Sequence, residues 1–184
     1  MSGSGVTHTR LGDAFGAVFA IERAGSQEAF IVGKERLRDV LSFLKGDESL
    51  LYVMMTDLFA VDLSGLQAGA GKPRFEVVYL LNSLKLKERI VVKVRVNEGE
   101  AVPTVSDLWR AAEWLEREAY DMFGIPFENH PDLRRILMVE DFDGYPLRKD
   151  FPTEGYGFEE PFKVDLESES TPDGSGAASK KAGR

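Results

Sequence analysis

Between Ile90 and Asn97 the chain alternates with a period of two, setting Ile90, Val92, Val94 and Val96 against Val91, Lys93, Arg95 and Asn97. This is the pattern of a β-strand with one face in water, so its sheet needs a covering layer on one side. Two helices can supply it. Lys34 to Lys45 places Leu37, Val40, Leu41 and Leu44 at helical spacing with charges opposite, and Gly46 ends the run. The second starts at Thr104, a cap candidate with Asp107 three residues on. Leu108, Ala112, Leu115, Ala119 and Met122 then recur at steps of three and four until Gly124 and Pro126. Other strands are expected over Phe15 to Glu22 and Glu28 to Val32, joined by a turn at Ala24-Gly25-Ser26, and over Leu50 to Thr56 and Phe75 to Leu81. Asp62 to Arg74, with Gly65, Gly69, Gly71 and Pro73, reads as a surface loop. The fold expected is α+β: a two-layer domain with helices on one face of a mixed sheet.

That domain is expected over residues 13–130. Residues 1–12 are small and polar with little periodicity and read as a flexible N-terminus, and 167–184 read as a disordered tail. From Pro131 to Leu166 short apolar groups are separated by Pro, Gly and charge. Residues 131–166 are therefore expected to form an extended arm that lies over a partner rather than folding back. Of the 31 acids and 23 bases, 15 acids and 7 bases fall in 104–166, so the whole acidic excess lies there. An acidic chain without a basic stripe repels phosphate, which argues against nucleic acid and anionic lipid as partners. No apolar run approaches the roughly 20 residues that span a bilayer. No secretory signal is visible at the start, and a cytoplasmic location is the default expectation.

The absence of cysteine excludes iron–sulfur clusters, thiolate zinc sites and cysteine nucleophiles from this chain. Gly71-Lys72 superficially resembles the end of a phosphate loop, but Leu66 and Pro73 stand where that loop needs Gly and Ser or Thr. No Gly-x-Gly-x-x-Gly turn follows an expected strand, so a dinucleotide fold is unsupported. His130 could ligate a metal with Glu128 or Asp132, or act as a general base, or simply fix the turn before Pro131. On the second helix Arg110, Glu113, Arg117 and Asp121 fall at steps of three and four, so Arg117 can pair with both Glu113 and Asp121. Trp109, Trp114, Tyr120 and Phe123 lie at or near the same side. The row suits either a solvated face or a protein interface.

Three segments closely resemble a known signature: Glu116-Arg117-Glu118-Ala119-Tyr120-Asp121-Met122-Phe123-Gly124-Ile125, His130-Pro131-Asp132-Leu133-Arg134-Arg135-Ile136-Leu137 and Pro146-Leu147-Arg148-Lys149-Asp150-Phe151-Pro152. In order and spacing they are similar to the C-type subunit, also known as the 30-kDa-type subunit, of the proton-pumping NADH:quinone oxidoreductase, respiratory complex I. Departures are small: Asn129 stands where many relatives have glycine, and Tyr145 where they have histidine.

The resemblance implies a cofactor-free subunit of the peripheral arm that supports two partners, the D-type, quinone-site subunit and the one that carries the last iron–sulfur cluster. NADH, FMN, iron–sulfur clusters and quinone would then sit in partner subunits. Membrane association would come only through the complex, on the cytoplasmic side of the inner membrane. The residues expected to contact partners lie within the three motifs. They are Glu116, Arg117, Glu118 and Asp121 in the first, His130, Asp132, Arg134 and Arg135 in the second, and Arg148, Lys149 and Asp150 in the third. Two alternatives stand beside this: a stand-alone acidic enzyme using His130 with nearby carboxylates, and the equivalent subunit of a related complex with another electron donor.

Overall fold

A computed structural model describes residues 3–16, 19–24, 27–65 and 73–155. Its elements run α1 (Gly3–Phe15), β1 (Phe19–Ala24), β2 (Gln27–Val32), α2 (Lys34–Gly46), β3 (Met54–Asp62), β4 (Phe75–Ser83), β5 (Glu88–Val96), β6 (Val102–Pro103), α3 (Arg110–Phe123) and β7 (Phe127–Glu128). Five strands form one sheet in the order β1-β2-β5-β4-β3. The β2–β5 pair is parallel and the others are antiparallel, so the sheet is mixed, as expected.

The period-two pattern decides which face is covered. Val92 and Val94 of β5 and Val77 and Tyr79 of β4 point to one side. There they join Leu37, Leu41 and Leu44 of α2 and Ala112, Ala119 and Met122 of α3 in a single core. On the opposite side Lys93 and Arg95 hold Glu76 and Glu22 in a cross-strand ion network. A small apolar patch of Ala29, Val78 and Val91 lies beside it. The α+β class and the single helical layer therefore follow from the alternation.

Four expectations need correction. The N-terminal residues, read as flexible, form α1 over Gly3–Phe15, so Phe15 ends a helix instead of opening the first strand. Leu11 is fully buried in the core, the Thr7 hydroxyl meets the Tyr52 hydroxyl at 2.8 Å, and Arg10 pairs with Asp47. A helix with three glycines and weak amphipathy gains its stability from docking, which periodicity does not report. The third strand begins at Met54, not Leu50, and runs to Asp62 at the head of the expected loop. Leu50 and Tyr52 are buried in the connection before it.

Thr104 does not cap α3, which starts at Arg110 with Trp109 at its N-cap. A two-stranded parallel ribbon of β6 and β7 instead brackets the helix, with Val102 N–H on Pro126 O and Thr104 N–H on Glu128 O. Finally, residues 131–155 carry no helix or strand, but they fold back over α3 of the same chain. Leu133 and Met138 pack against the core, and Leu147 N–H donates to Met122 O at 3.1 Å. The turn at Gly25-Ser26, most of the glycine loop, the remainder of the arm and the tail lie outside the described residues.

Candidate functional site: the α3 clamp

The three signature motifs converge at the C-terminal half of α3, where the helix grips the segment that follows it. Arg117 and Asp121 stand one turn apart on one face. Arg117 donates to backbone carbonyls, through Nε to Arg134 O and through Nη2 to Arg135 O, both at 3.1 Å. Asp121 accepts from backbone amides: its Oδ2 takes the N–H groups of Ile136 at 3.0 Å, Leu137 at 2.7 Å and Met138 at 2.9 Å. Oδ1 takes Arg135 Nη1 at 2.7 Å. Two oppositely charged side chains thus hold the consecutive residues 134–138 through their polar backbone, whatever side chains those residues carry.

Asp121 is fully buried. Burial pushes its carboxyl pKa up, but the Met138 N–H, the Arg135 guanidinium and the Ile136 and Leu137 N–H groups outweigh it, leaving the group below the ordinary carboxylate range.

The arm also completes the end of the helix. The last carbonyls of an α-helix lack partners within it. Here Tyr120 O takes Gly124 N–H at 2.8 Å and Asp121 O takes Arg135 Nη1 at 3.3 Å. Met122 O takes Leu147 N–H at 3.1 Å and Phe123 O takes Arg148 Nε at 2.7 Å. Three of these four bonds come from the arm, and two of the donors are guanidiniums placed where the helix dipole favours cations.

Gly124 makes this closure possible. Its φ of +73° is in the left-handed region, and a Cβ there would lie 2.5 Å from the Tyr145 ring and 2.7 Å from Arg148 Nη2. Arg148 stacks on Tyr145 with its guanidinium 4.4 Å from the ring centre.

Two further knots tie arm to domain. Asp62, at the end of β3, is buried. It accepts Lys149 N–H at 3.0 Å and Arg74 at 3.2 Å, and Arg74 also holds Glu98 and Asp150. Burial raises the Asp62 pKa, but the Lys149 and Ser64 N–H groups, the Ser64 hydroxyl and Arg74 outweigh it, so the carboxyl falls to about 2.

At the other end, the His130 side chain is fully buried. Its Nδ1 accepts Asp132 N–H at 3.1 Å and its Nε2 lies 3.0 Å from Glu113 O. A ring nitrogen that accepts carries no proton, so the proton sits on Nε2 and is donated to Glu113 O. Glu116 lies 3.8 Å away, fully buried, taking the Thr104 hydroxyl and Val105 N–H. Burial pushes its pKa up to about 7. Both His130 nitrogens bond within the chain, tying the turn around Pro131 to α3. Among the described residues no group of three or more His, Cys, Asp or Glu side chains is placed to hold a metal.

Of the eleven residues expected to contact partners, Glu116, Arg117, Asp121 and His130 are therefore turned inward and bind this chain. Arg135 and Arg148 are half-buried in the same network, while Glu118, Arg134, Lys149 and Asp150 are exposed and Asp132 is partly so. Arg117 does not bridge Glu113 and Asp121, because Asp121 is taken by Arg135 and the arm amides. It stacks instead over Trp114, 5.0 Å from the ring centre. Trp109 and Phe123 belong to the core, and Trp114 is the exposed aromatic of the helix. Sequence reasoning missed Asp62, Arg74 and Glu98, which are remote in sequence from the motifs they hold.

Fold and clamp together define a class: an α+β domain whose buried Asp62, Arg117 and Asp121 are engaged in fixing its own loop-rich extension. The family description "Respiratory-chain NADH dehydrogenase, 30 Kd subunit" matches residues 30–157. The chain is 46% identical over 156 residues to the C-type NADH-quinone oxidoreductase subunit of Geobacter metallireducens, covering 84% of this chain and 92% of that protein. It is 47% identical over 146 residues to the second such C-type subunit of Rhizobium meliloti, covering 79% and 78%. A solved structure of the membrane-bound sulfane sulfur reductase, an archaeal respiratory membrane complex, contains a chain that superposes with a TM-score of 0.68 at 25% identity. That match covers 90% of this chain and 98% of the other. The chain belongs to the respiratory-chain NADH dehydrogenase 30 kDa subunit family.

Proposed function

We propose that the chain works as a peripheral-arm subunit of a proton-translocating NADH:quinone oxidoreductase, holding in place the quinone-site subunit and the one with the last iron–sulfur cluster. The observation that carries this is the 46% identity to a C-type NADH-quinone oxidoreductase subunit, over 92% of that relative's length. Electrons pass from NADH to quinone in the partners, where NADH, FMN, clusters and quinone are bound. This chain has no cysteine to ligate a cluster.

The clamp fits a supporting role, because it stiffens an irregular segment into a fixed shape, and preorganised surfaces bind with little loss of ordering entropy on contact. The buried, doubly bonded His130 disfavours a stand-alone enzyme. Among the described residues no helix is long and apolar enough to cross a membrane, which fits attachment through the complex; the cytoplasmic face is part of the proposal. The membrane-bound sulfane sulfur reductase, named for a different electron acceptor, supports a second reading, the equivalent subunit of a related respiratory complex.

The test is affinity purification of the tagged chain from native membranes with mass spectrometry. The quinone-site subunit and a cluster-bearing subunit should co-purify with NADH:quinone activity. Recovery of the chain alone, or turnover by the isolated chain, would refute the proposal.

A further inference from the structure

The turn that joins β4 to β5 is pinned in one shape. Leu86 packs against the core and its N–H donates to the Ser83 hydroxyl at 3.1 Å. That hydroxyl bonds Leu50 O, and Lys85 Nζ bonds Glu48 O. So fixed, the turn displays Leu84, which at 71% is the most exposed large apolar side chain among the described residues. Val53 and Met54, at the start of β3, are half exposed, and Met54 stands opposite Asn82, just before the turn. Asn82 in turn stands opposite Arg89 of β5, so Met54 and Arg89 flank it on the face of the sheet away from the helices.

Cations border this apolar patch. Lys85, Lys87 and Arg89 are exposed, and no ion pair among the described residues includes any of them. Lys85 and Arg89 bond neutral oxygens, the Glu48 main-chain carbonyl and the Asn82 side chain, so their charge is not cancelled. Glu88, the acid that stands among them, accepts the Tyr52 hydroxyl on its Oε2 at 3.1 Å. In a chain of net charge -8, three cations within residues 85–89 that hold no carboxylate are a local exception.

Exposed apolar side chains bordered by uncancelled cations fit an occupant that is itself apolar and acidic. The acidic arm of the same chain does not supply it. Its carboxylates pair with none of the three cations among the described residues, and it is tied down at Asp62, the far end of β3, about 25 Å from Met54 at 3.3 Å per residue. An extended polyanion such as a lipid surface or a nucleic acid would meet the repulsion of the whole acidic chain, whereas a short segment feels only the charges within a Debye length of about 8–10 Å. We propose that this end of the sheet docks a short acidic segment of a partner subunit. Its apolar side chains lie on Val53, Met54 and Leu84, and its Asp or Glu carboxylates meet Lys85, Lys87 and Arg89. This rests on the assembly role proposed above.

Carbodiimide cross-linking, which joins a lysine amine to a carboxylate in contact with it, tests this on the complex purified from membranes through the tagged chain, with mass spectrometry as the readout. Lys85 or Lys87 should be joined to an Asp or Glu of a partner subunit. Leu84→Ser and Lys87→Glu change exposed side chains and should leave melting of the free chain near that of the unaltered protein. Combined, they should lower recovery of the cross-linked subunit roughly tenfold or more, while Lys87→Arg, which keeps the charge, should recover it in full. If subunits co-purify but no such link forms, or the double variant recovers them equally, the docking is wrong and the assembly role stands. A link to a second copy of this chain would overturn the choice of partner. So would sedimentation of the isolated chain with phosphatidylglycerol vesicles that the double variant loses, which would assign the patch to lipid. Failure of any subunit to co-purify with the unaltered chain overturns the assembly role and the docking together.

Discussion

Replacing Asp121 by alanine removes one carboxylate and with it four hydrogen bonds, three from consecutive arm amides and one from Arg135. Hydrogen bonds to a charged group stabilise by about 1.5–3 kcal/mol each. The full sum does not apply, because Ile136 and Leu137 are at the surface and their amides regain water once released. Arg135 keeps Phe142 O and Gly144 O, so its charge is not left without acceptors. The expected cost is about 3–5 kcal/mol, roughly the worth of two of these four charge-assisted bonds.

It should fall on the arm more than on the sheet, whose core residues make no contact with Asp121 through these bonds. The chain should open sub-globally. Hydrogen exchange at Ile136, Leu137 and Met138 should accelerate by at least a hundredfold, roughly 3 kcal/mol, and protease should cut within 131–150. Amides of β4 and β5 should change far less.

The pH dependence has a definite sign. The folded-state pKa of Asp121 is depressed, so its stabilisation is complete above the unfolded carboxylate value near 4 and is lost as pH falls through the folded value. Arm release in acid at Ile136 to Met138 should be present in the unaltered chain and weaker in Asp121→Asn, where the Asp62 carboxylate that holds Lys149 N–H remains the acid-sensitive tie. Unchanged exchange at 136–138 in Asp121→Ala would refute the clamp.

Gly124→Ala places a methyl against Tyr145 and Arg148 at a left-handed φ, so it should cost at least about 1–2 kcal/mol and loosen Leu147 and Arg148, read by thermal melting and exchange. Glu116→Gln should flatten a neutral-pH loss. The raised folded pKa of about 7 means Glu116 stabilises fully below the unfolded value near 4.3, and this is lost as pH rises through about 7. Stability from denaturant unfolding should fall by about 3 kcal/mol between pH 4.5 and 8 in the unaltered chain and much less in the variant. Leu11→Ala, in a helix that the sequence does not advertise, should cost about 2–5 kcal/mol by urea unfolding. A cost below about 0.5 kcal/mol, the size of an ordinary surface substitution, would mean that α1 does not hold the core.

The sheet, α2 and α3 were legible because each carries its own period. Alternation over Ile90 to Val96 and the three- and four-residue steps of α3 state which side faces water without knowledge of neighbours. The glycine closing α3 was legible as a stop, since Gly124 precedes Pro126. The site residues were legible only as motifs. Their identity marked Glu116, Arg117, Asp121, His130 and Arg135 as special, but a charge at helical spacing faces water by default, and a partner was the alternative. The third possibility, that they bind the chain's own backbone, leaves no trace in residue types because amides and carbonyls are common to every residue.

Local spacing and composition were thus enough for the class of fold, the covered face of the sheet, the extent of the signature and the lack of thiolate chemistry. Packing in three dimensions was needed for the rest: that α1 docks through Leu11 and Thr7, that Asp62 and Arg74 hold Lys149 and Asp150 across more than seventy residues of chain, and that the arm completes the end of α3. These depend on which unsatisfied carbonyls and amides come within about 3 Å of each other. Such distances are set by the packed sheet and helices, and no short stretch of sequence contains both ends of the bond.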